Sequence, residues 1–304
     1  MVPHVAPRIT FAMPFYRGLR HLESALGSLQ AQTIGEWEAV VVDDAGPESA
    51  ASTIAQLDDP RIRYLRNESN LGLAGNWNKA LSLATTDLVT IVHCDDLLEP
   101  HYAATMIALM DRHPEAVAGH CRVLLIDDAG QPTRTLADTV KGWLTPRFRG
   151  DLVTEGDLGL RSLVRANWIF CPTVCYRRAL LPANPFDQRW RFVLDLDLMR
   201  RFLFGGQSIV GTDTVAYRYR RHADNQTRVL GRDFSRHDEE LAFAAEVAEQ
   251  ARGHGWSSTA RTARRAPVVR ANLLTEAAIA LVKRDIVRFR GALRRATRGV
   301  PSSR

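Results

Sequence analysis

The sequence predicts an α/β fold with a doubly wound, mostly parallel sheet flanked by helices, followed by a helical C-terminal extension. Three observations carry this prediction. Short, continuously apolar runs alternate with helical patterns through the first 120 residues, polar residues follow those runs, and helical spacing continues from about residue 234 onward. Continuous apolar runs suit strands that are covered on both faces, and such sheets bind ligands beyond the carboxyl ends of their strands.

Four short apolar runs in the first region, residues 1–120, are typical of buried strands. They lie at residues 9–13, 38–42, 62–65 and 88–92. Helical spacing predicts helices at residues 19–32 and 77–84, with a further helix ending at Leu57. Because parallel strands end at the same edge of a sheet, we expect the polar residues after these runs to form a ligand site.

The rest of the chain divides into two further regions. Residues 121–232 are mixed, and their predicted elements are a strand at 122–126, a turn at 127–130, a loop-like stretch at 142–156 and a helix at 196–204. Residues 233–304 are helical throughout, and Pro267 opens the last long helix.

Composition bounds the class of protein. With 304 residues, 45% hydrophobic and 24% charged, the chain is an ordinary globular sequence, which excludes a fibre or a disordered tail. No apolar stretch approaches the ~20 residues of a membrane span, and residues 1–8 lack the layout of a signal peptide, so we expect a cytoplasmic protein. Four cysteines fit a reducing compartment, and the lone pair Cys171 and Cys175 does not predict a zinc site.

The charge is distributed unevenly. The net charge of +6 combines about −5 for residues 1–250 with +11 for residues 251–304. An apolar stripe on the predicted last helix accompanies this basic tail; it consists of Ile279, Val282, Ile286, Phe289 and Leu293.

Two interpretations of the tail stay open. Residues 268–298 could lie on an anionic membrane surface, or the stripe could pack on the catalytic body or on a second subunit in a homodimer. Nucleic-acid binding is not expected, because no aromatic residues interleave with the basic ones.

Polar motifs follow the first three strands. Pro14-Phe15-Tyr16 stands where a dinucleotide-binding protein would carry a glycine-rich turn, which argues against that class. Asp43 and Asp44 end the second strand, where a carboxylate can accept hydrogen bonds from a base or a ribose, or can serve a turn. The loop 70–76 brings small residues and amides to a helix start, where backbone N–H groups can approach a sugar or phosphate.

A carboxylate pair follows the fourth strand in His93-Cys94-Asp95-Asp96. Adjacent carboxylates repel each other unless a cation or hydrogen bonds offset the charge. A Mg²⁺ or Mn²⁺ ion bridging a diphosphate would explain the pair, because such ions take one or two protein carboxylates and phosphate oxygens. A surface turn is the other interpretation.

Two later motifs carry ionisable residues. Asp195 and Asp197 lie at an otherwise apolar helix start, where a carboxylate can cap the helix or act as a general base. Residues 217–222 end in a basic cluster, in which Arg220 and His222 could clamp a diphosphate and its metal or simply form a solvated loop.

Taken in this order, the motifs over about residues 8–230 resemble the family 2 inverting nucleotide-sugar glycosyltransferases. Members of this family have the GT-A fold and occur in bacterial envelope polysaccharide synthesis. The resemblance implies a nucleotide-sugar-binding half at residues 1–120, an acceptor-binding and catalytic half at 121–232, and a basic helical extension at 233–304.

The resemblance also implies roles for individual residues on the donor side. Pro14, Phe15 and Tyr16 would line the base pocket, and Asp43 or Asp44 would hold the uracil or ribose. The remaining donor-binding residues that it implies are Asn70, Gly72, Asp96 and Arg220. Asp96 would touch the donor sugar or the metal's waters.

Metal and catalytic roles follow from the same resemblance. Asp95 would ligate Mn²⁺ or Mg²⁺, and His222 would bind the diphosphate and complete the metal shell. His93 replaces the family's first aspartate, which removes one hard ligand. Asp195 would be the catalytic base and Asp197 a structural acid, with Leu194 in place of the usual glutamate.

The implied reaction moves a sugar from a nucleoside-diphosphate donor, UDP by family habit, to a hydroxyl of a glycan or lipid-linked acceptor. The membrane interpretation of the basic tail would place this cytoplasmic enzyme at the inner face of the plasma membrane, beside lipid-linked acceptors. Two alternatives stay open at this point: a non-catalytic nucleotide- or sugar-binding scaffold of the same fold, and a nucleotidyltransferase.

Overall fold

A single mixed sheet forms the framework of the protein in a computed structural model that describes residues 6–134, 139, 142–222, 231 and 233–297. Nine strands are present in these residues, in the order β3-β2-β1-β4-β8-β6-β9-β5, with β7 also paired to β9. The strands are β1 (Ile9–Phe15), β2 (Trp37–Asp43), β3 (Ile62–Arg66), β4 (Leu88–Ile91), β5 (Leu97–Leu98), β6 (Ala118–Ile126), β7 (Asp151–Thr154), β8 (Val174–Arg177) and β9 (Ile209–Arg220).

The first four strands make a parallel block. β1 lies between β2 and β4, and β3 extends the block beyond β2. All four end at one edge, as the apolar runs predict. β1 continues through Pro14 to Phe15, two residues beyond the predicted end. Proline has no backbone N–H to donate, but no hydrogen bond with β4 is lost because the pairing with β4 stops at Ala12.

The other strands are mostly antiparallel to their neighbours. β8 runs antiparallel to β4 and β6, while β9 is parallel to β6 and antiparallel to β5 and β7. The predicted loop-like stretch 142–156 contains the strand β7. This strand was not predicted, because it has only four residues at an edge of the sheet and lacks the long apolar run that marks β2. The short pairing of Leu97 with Arg218 joins the end of the first region to the end of the second within one sheet.

Helices cover both faces of this sheet, over two apolar cores. Helices before the C-terminal segment are α1 (Leu19–Gln30), α2 (Ala51–Leu57), α3 (Gly72–Ser82), α4 (Tyr102–Arg112), α5 (Gly156–Ala166) and α6 (Leu194–Phe204). The mixed sheet flanked by helices and followed by further helices confirms the predicted fold class.

The C-terminal segment contains α7 (Ser235–Gly253), α8 (Ser257–Arg265), α9 (Pro267–Val282) and α10 (Ile286–Thr297). The prediction of one long last helix is wrong, because the chain breaks at Arg284, whose φ is 60°. Asp285 then starts α10 by accepting a hydrogen bond from the Arg288 N–H at 2.9 Å. α9 and α10 pack together as a hairpin against α7. Within the described residues, no helix is long and apolar enough to cross a membrane.

Candidate active site

The carboxyl ends of β1, β2 and β4 meet the end of β9 at one edge of the sheet, where most of the sequence-predicted site residues lie. Asp43 ends β2 and is fully buried. Its Oδ2 accepts hydrogen bonds from the Tyr64 hydroxyl and from Arg66, both at 2.7 Å, while its buried Oδ1 has no partner among the described residues. Asp43 thereby fixes the ends of β2 and β3 to each other.

Asp44 organises the loop that opens α3. Its Oδ1 accepts hydrogen bonds from the Asn67 amide at 2.9 Å and the Leu71 N–H at 2.8 Å, and its Oδ2 accepts one from the Gly72 N–H at 3.1 Å. Asn70 also accepts from the Gly72 N–H, at 2.7 Å, which makes a tight turn. Gly72 has φ +75°, a conformation that glycine adopts without strain. The structure therefore brings Asp44, Asn70 and Gly72 together.

Pro14, Phe15 and Tyr16 follow the first apolar run, and Tyr16 is the most exposed of the three, at 42%. The Phe15 ring is 1% exposed and packs in the core, so its expected place in a pocket wall is not seen, because side chains alternate along β1. Pro14 is partly buried within β1. Gly46 lies against the backbone of Tyr16, and a Cβ at that position would collide with the Tyr16 carbonyl oxygen.

Asp95 is held against the end of β9 by a histidine. Nε2 of His222 lies 2.6 Å from Oδ2 of Asp95, and the Asp95 side chain keeps 24% of its surface exposed. Nδ1 of His222 lies 3.5 Å from Arg20 on α1. Sequence reasoning missed Arg20 and the adjacent His21, which contacts Asp128 at 3.0 Å; nothing in the spacing of α1 indicates that it reaches this edge.

Asp96 lies in a different setting from the one expected. It is 1% exposed, its Oδ1 accepts the Arg220 N–H at 2.7 Å, and its Oδ2 accepts the Tyr217 hydroxyl at 3.2 Å. Both oxygens of Asp96 therefore have partners inside the protein, and its expected contact with the donor sugar or the metal's waters stays a prediction. Because β5 turns the chain back onto β9, Asp96 faces inward and joins the two strand ends.

The Arg220 guanidinium is also engaged inside the protein. Arg220 is 4% exposed and donates to the carbonyls of Asp95 at 2.7 Å, Asp127 at 3.1 Å and Asp128 at 2.9 Å. The guanidinium thus has partners inside the protein, and the expected binding of a diphosphate by Arg220 stays a prediction. Its position opposite Ile126 in the β6–β9 pairing turns it toward the 127–128 turn.

His93, Asp95 and Asp96 bring one potential metal-ligating atom each to within 4.8 Å of one another. Burial and the neighbouring charge of Asp95 raise the pKa of Asp96 to about 6. Burial alone would lower the pKa of His93, but the carboxylates of Asp96 and Asp95 raise it. Burial alone would raise the pKa of Asp95, but the hydrogen bond and charge of His222, together with the charge of His93, hold it below its usual value. The cluster thus favours an ionised Asp95.

Asp195 and Asp197 occupy the first turn of α6, and they differ in their partners. Both oxygens of Asp197 are taken by arginines, Oδ1 by Arg200 at 2.6 Å and Oδ2 by Arg201 at 3.0 Å, and Asp197 is 1% exposed. Asp195 is 7% exposed, and its charge is one of those that raise the pKa of His93. The structure therefore brings Asp195 within electrostatic reach of the His93 cluster from a separate element.

The segment that leads into α6 is held by a glutamate of the C-terminal helices. Glu239 on α7 accepts hydrogen bonds from the backbone N–H groups of residues 191–193 at 2.5 to 3.1 Å. Three successive backbone N–H groups that converge on one carboxylate form an anion-binding nest. Sequence reasoning missed Glu239, because a glutamate on a charged helix carries no local signal of a contact some 46 residues away.

The mixed sheet, the acidic ends of β2 and β4 and the flanking helices define a glycosyltransferase with the GT-A fold. The chain belongs to glycosyl transferase family 2, whose sequence profile, described as "Glycosyl transferase family 2", matches residues 10–170. This membership answers the two alternatives left open by the sequence, since the protein is a glycosyltransferase rather than a nucleotidyltransferase or an inert scaffold.

Two relatives illustrate the similarity. The chain is 31% identical over 236 residues to a Mycobacterium tuberculosis protein named "Uncharacterized protein MT1568", covering 74% of this chain and 70% of that one. It is 28% identical over 102 residues to the Escherichia coli UDP-Glc:alpha-D-GlcNAc-diphosphoundecaprenol beta-1,3-glucosyltransferase WfgD, covering 34% of this chain and 40% of that enzyme.

Two solved structures share the fold. S. aureus TarS 1-349 in complex with UDP-GlcNAc aligns with a TM-score of 0.57 at 18% identity, over 94% of this chain and 90% of that one. The mannosyltransferase PcManGT from Pyrobaculum calidifontis in complex with GDP-Man and Mn2+ aligns with a TM-score of 0.57 at 18% identity, over 97% and 87%. At these identities the likeness shows the fold alone.

Proposed function

We propose that this glycosyltransferase moves a sugar from a UDP-linked donor to a hydroxyl of a lipid-linked saccharide during envelope polysaccharide synthesis, with inversion at the anomeric carbon. The observation that carries the proposal is the His222–Asp95 contact at the edge of the sheet, which leaves an ionised and partly exposed carboxylate beside His93, a residue whose pKa the charge of Asp195 also raises. A donor diphosphate and an attacking hydroxyl must bind at different positions, and Asp95 and Asp195 come from separate elements of the fold.

The donor base and ribose belong, in this proposal, at the corner formed by Tyr16, Asp43, Asp44 and the 70–72 turn. Asp44 has fixed the loop through three hydrogen bonds, so the corner is organised before a ligand arrives. Pro14 and Phe15 support Tyr16 from within β1 rather than offering open side chains. Preorganisation of this kind reduces the entropy cost of binding.

The residues at the end of β4 fit a divalent metal. Asp95 offers a hard oxygen with part of its surface exposed, and His222 offers a ring nitrogen beside it, while Asp96 supports them from below with both its oxygens occupied. Asp95 and His222 would therefore hold Mn²⁺ or Mg²⁺. When bound, the ion supplies positive charge that offsets the charge gathered by the departing diphosphate. Arg220 contributes by holding the 127–128 turn and the Asp95 backbone in place.

Asp195 is proposed as the catalytic base. An acceptor hydroxyl has a pKa far above 7, so a carboxylate must take its proton as the hydroxyl oxygen attacks the anomeric carbon. The new carbon–oxygen bond forms while the bond to the diphosphate breaks, and the nucleoside diphosphate leaves from the opposite face. The pairing of both Asp197 oxygens with arginines supports the assignment of this role to Asp195 and of a structural role to Asp197.

The choice of donor and acceptor rests on the comparisons. TarS was solved with UDP-GlcNAc and PcManGT with GDP-Man, and the name of WfgD gives a UDP-linked donor and a diphosphoundecaprenol-linked acceptor. Two of these three proteins use uridine, which favours UDP. A lipid-linked acceptor implies that the enzyme acts at the inner face of the plasma membrane. In this proposal residues 1–120 bind the donor and residues 121–232 bind the acceptor. Residues 233–304 form the helical extension.

The test measures which ligands stabilise the protein. Wild type and Asp95→Ala are melted with UDP, GDP, dTDP or CDP, each with and without Mn²⁺, because a ligand that binds the folded state raises the melting temperature. Asp111→Ala serves as a matched control, since Asp111 forms a surface ion pair with Arg8 away from the sheet edge. We expect stabilisation by UDP with Mn²⁺ in wild type and Asp111→Ala and its loss in Asp95→Ala. Stabilisation by another nucleotide would replace UDP, and no response to any of them would reject the proposed donor class.

A further inference from the structure

The turn between α9 and α10 carries an exposed apolar surface that the proposed reaction does not use. We call residues 279–287 the hairpin tip. Val282 and Val287 are 84% and 85% exposed, the highest values for large hydrophobic residues in the described part of the chain. Their exposed apolar neighbours are Ile279, Leu281 and Ile286. Several large apolar residues exposed within one short turn are typical of an interaction site.

The α9–α10 hairpin packs on α7 through residues outside the tip, and the tip itself stays uncovered. Leu273 and Ala277 of α9, with Ala292 of α10, are buried in one cluster with Leu241 of α7. Of the five residues in the predicted stripe, Phe289 packs against this cluster, while Ile279, Val282, Ile286 and Leu293 remain exposed. The hairpin therefore packs on the body mainly through residues outside the stripe, and the tip needs another partner.

The cations around the tip are not neutralised by the protein. Arg288 pairs with Glu276 at 2.8 Å and Arg295 with Asp238 at 2.7 Å. By contrast, four other cations of the hairpin form no ion pair with a carboxylate among the described residues; they are Lys283, Arg284, Arg290 and Arg294. The acid within the tip, Asp285, is used to start α10.

We infer that the hairpin tip binds an anionic lipid bilayer, with the valines and isoleucines entering the boundary between headgroups and acyl chains while the cations contact lipid phosphates. An apolar surface surrounded by unneutralised cations has the chemistry that such a membrane recognises. A second copy of the chain fits less well, because a two-fold contact between tips would bring Lys283 and Arg284 of both copies together. This inference goes beyond the proposed reaction and does not depend on it.

The experiment measures co-sedimentation of the purified full chain with vesicles of phosphatidylcholine, with or without phosphatidylglycerol. We expect binding to the anionic vesicles alone. Lys283→Gln with Arg290→Gln is expected to weaken binding by roughly 25-fold, at about fivefold per cation. Val282→Ser with Val287→Ser is expected to weaken it by at least about tenfold. Leu158→Ser, at a site that is 72% exposed on α5, is the matched control and should bind as wild type does.

Three results would overturn the inference. Equal binding to neutral and anionic vesicles would remove the electrostatic argument, and unchanged binding by the double serine variant would remove the tip. A dimer in light scattering that the double serine variant abolishes would assign the tip to a second copy. The melting temperature and the transfer to an acceptor in solution should stay at wild-type values in both double variants, which separates loss of membrane binding from loss of fold or of catalysis.

Discussion

Nε2 of His222 contacts Oδ2 of Asp95 at 2.6 Å, although the two residues are 127 positions apart in the chain. The contact fixes the orientation of the carboxylate that we propose as a metal ligand. It is also one cause of the lowered pKa of Asp95, so the histidine keeps that carboxylate ionised.

Replacing this histidine should weaken metal-dependent binding without unfolding the protein. For His222→Asn we expect a loss of at least about 10- to 100-fold in apparent Mn²⁺ affinity, because the variant removes a proposed metal ligand that also orients the Asp95 carboxylate. Titration of Mn²⁺ in the presence of UDP measures it. His101→Asn, at an exposed histidine that contacts the Val215 carbonyl, is the control. An unchanged Mn²⁺ affinity in His222→Asn would show that the contact does not serve the metal.

Substitutions of the two aspartates of α6 should have different effects, one on the reaction rate and the other on stability. Asp195→Asn is expected to lower kcat by roughly 10²- to 10⁴-fold, the range for removing a general base, with little change in melting temperature. Asp197→Asn should instead destabilise the fold by about 3–5 kcal/mol, because it leaves Arg200 without its buried partner. Nucleotide release and urea unfolding measure the two quantities. A stable and slow Asp197→Asn beside an active Asp195→Asn would exchange the roles.

Glu239 should act through the segment that precedes Asp195. In Glu239→Gln, a neutral amide replaces the carboxylate that collects three backbone N–H groups, so residues 191–193 should loosen. We expect about a tenfold fall in kcat with an unchanged KM for the donor, because the donor corner is built by other elements. Asp238→Asn, on the preceding residue of the same helix, is the control, because Asp238 pairs with Arg295 on α10 rather than with residues 191–193. Equal effects of both variants would indicate general destabilisation of α7.

Gly46 allows the backbone of Tyr16 its present position. A Cβ there would collide with the Tyr16 carbonyl oxygen, so Gly46→Ala must displace the chain that borders the proposed base corner. We expect roughly a tenfold or greater loss of UDP affinity by calorimetry, the scale of a small displacement in a binding site. Gly35→Ala meets no atom within 4 Å and should bind normally. Normal binding by Gly46→Ala would place the base elsewhere.

Two buried histidines should make the fold sensitive to acid. Burial lowers the pKa of His120, and of His237, to about 4. The unfolded chain therefore takes up protons first, so stability is full above about pH 6.5 and falls as the pH drops toward 4.

For His120, which is 3% exposed, the full effect is about 3 kcal/mol. His120→Gln should flatten part of the decline, and unfolding in urea at pH 5 and pH 8 measures it. A pH dependence identical to wild type would mean that His120 is not neutral in the folded state.

The sequence predicted the strand ends well, because continuous apolar runs mark buried parallel strands and the residues after them are polar. The burial of Asp96 could not be predicted in the same way. Its two partners, Tyr217 and Arg220, lie 121 and 124 residues away, and no local pattern links them. The internal contacts of Arg220 could not be predicted for a related reason, since the register between β6 and β9 is irregular and places Arg220 opposite Ile126.

The break between α9 and α10 could not be predicted from the sequence, because it contains no glycine or proline. A single left-handed residue, Arg284, and the short-range bond from Asp285 were sufficient to start a second helix. A stripe with helical spacing across the break therefore belongs to two helices, and its members divide between the protein interior and solvent.

The pairing of β5 with β9 has a consequence for how the enzyme becomes active. Leu97 meets Arg218 in a two-residue ladder, so the carboxylates after β4 reach their final setting when a segment some 120 residues later arrives. Contacts between distant parts of a chain close slowly, because a long loop must be ordered first. A nascent or truncated chain that ends before residue 209 would thus lack the contacts at the end of β9 that hold Asp95 and Asp96. Activity should therefore appear only after β9 has paired.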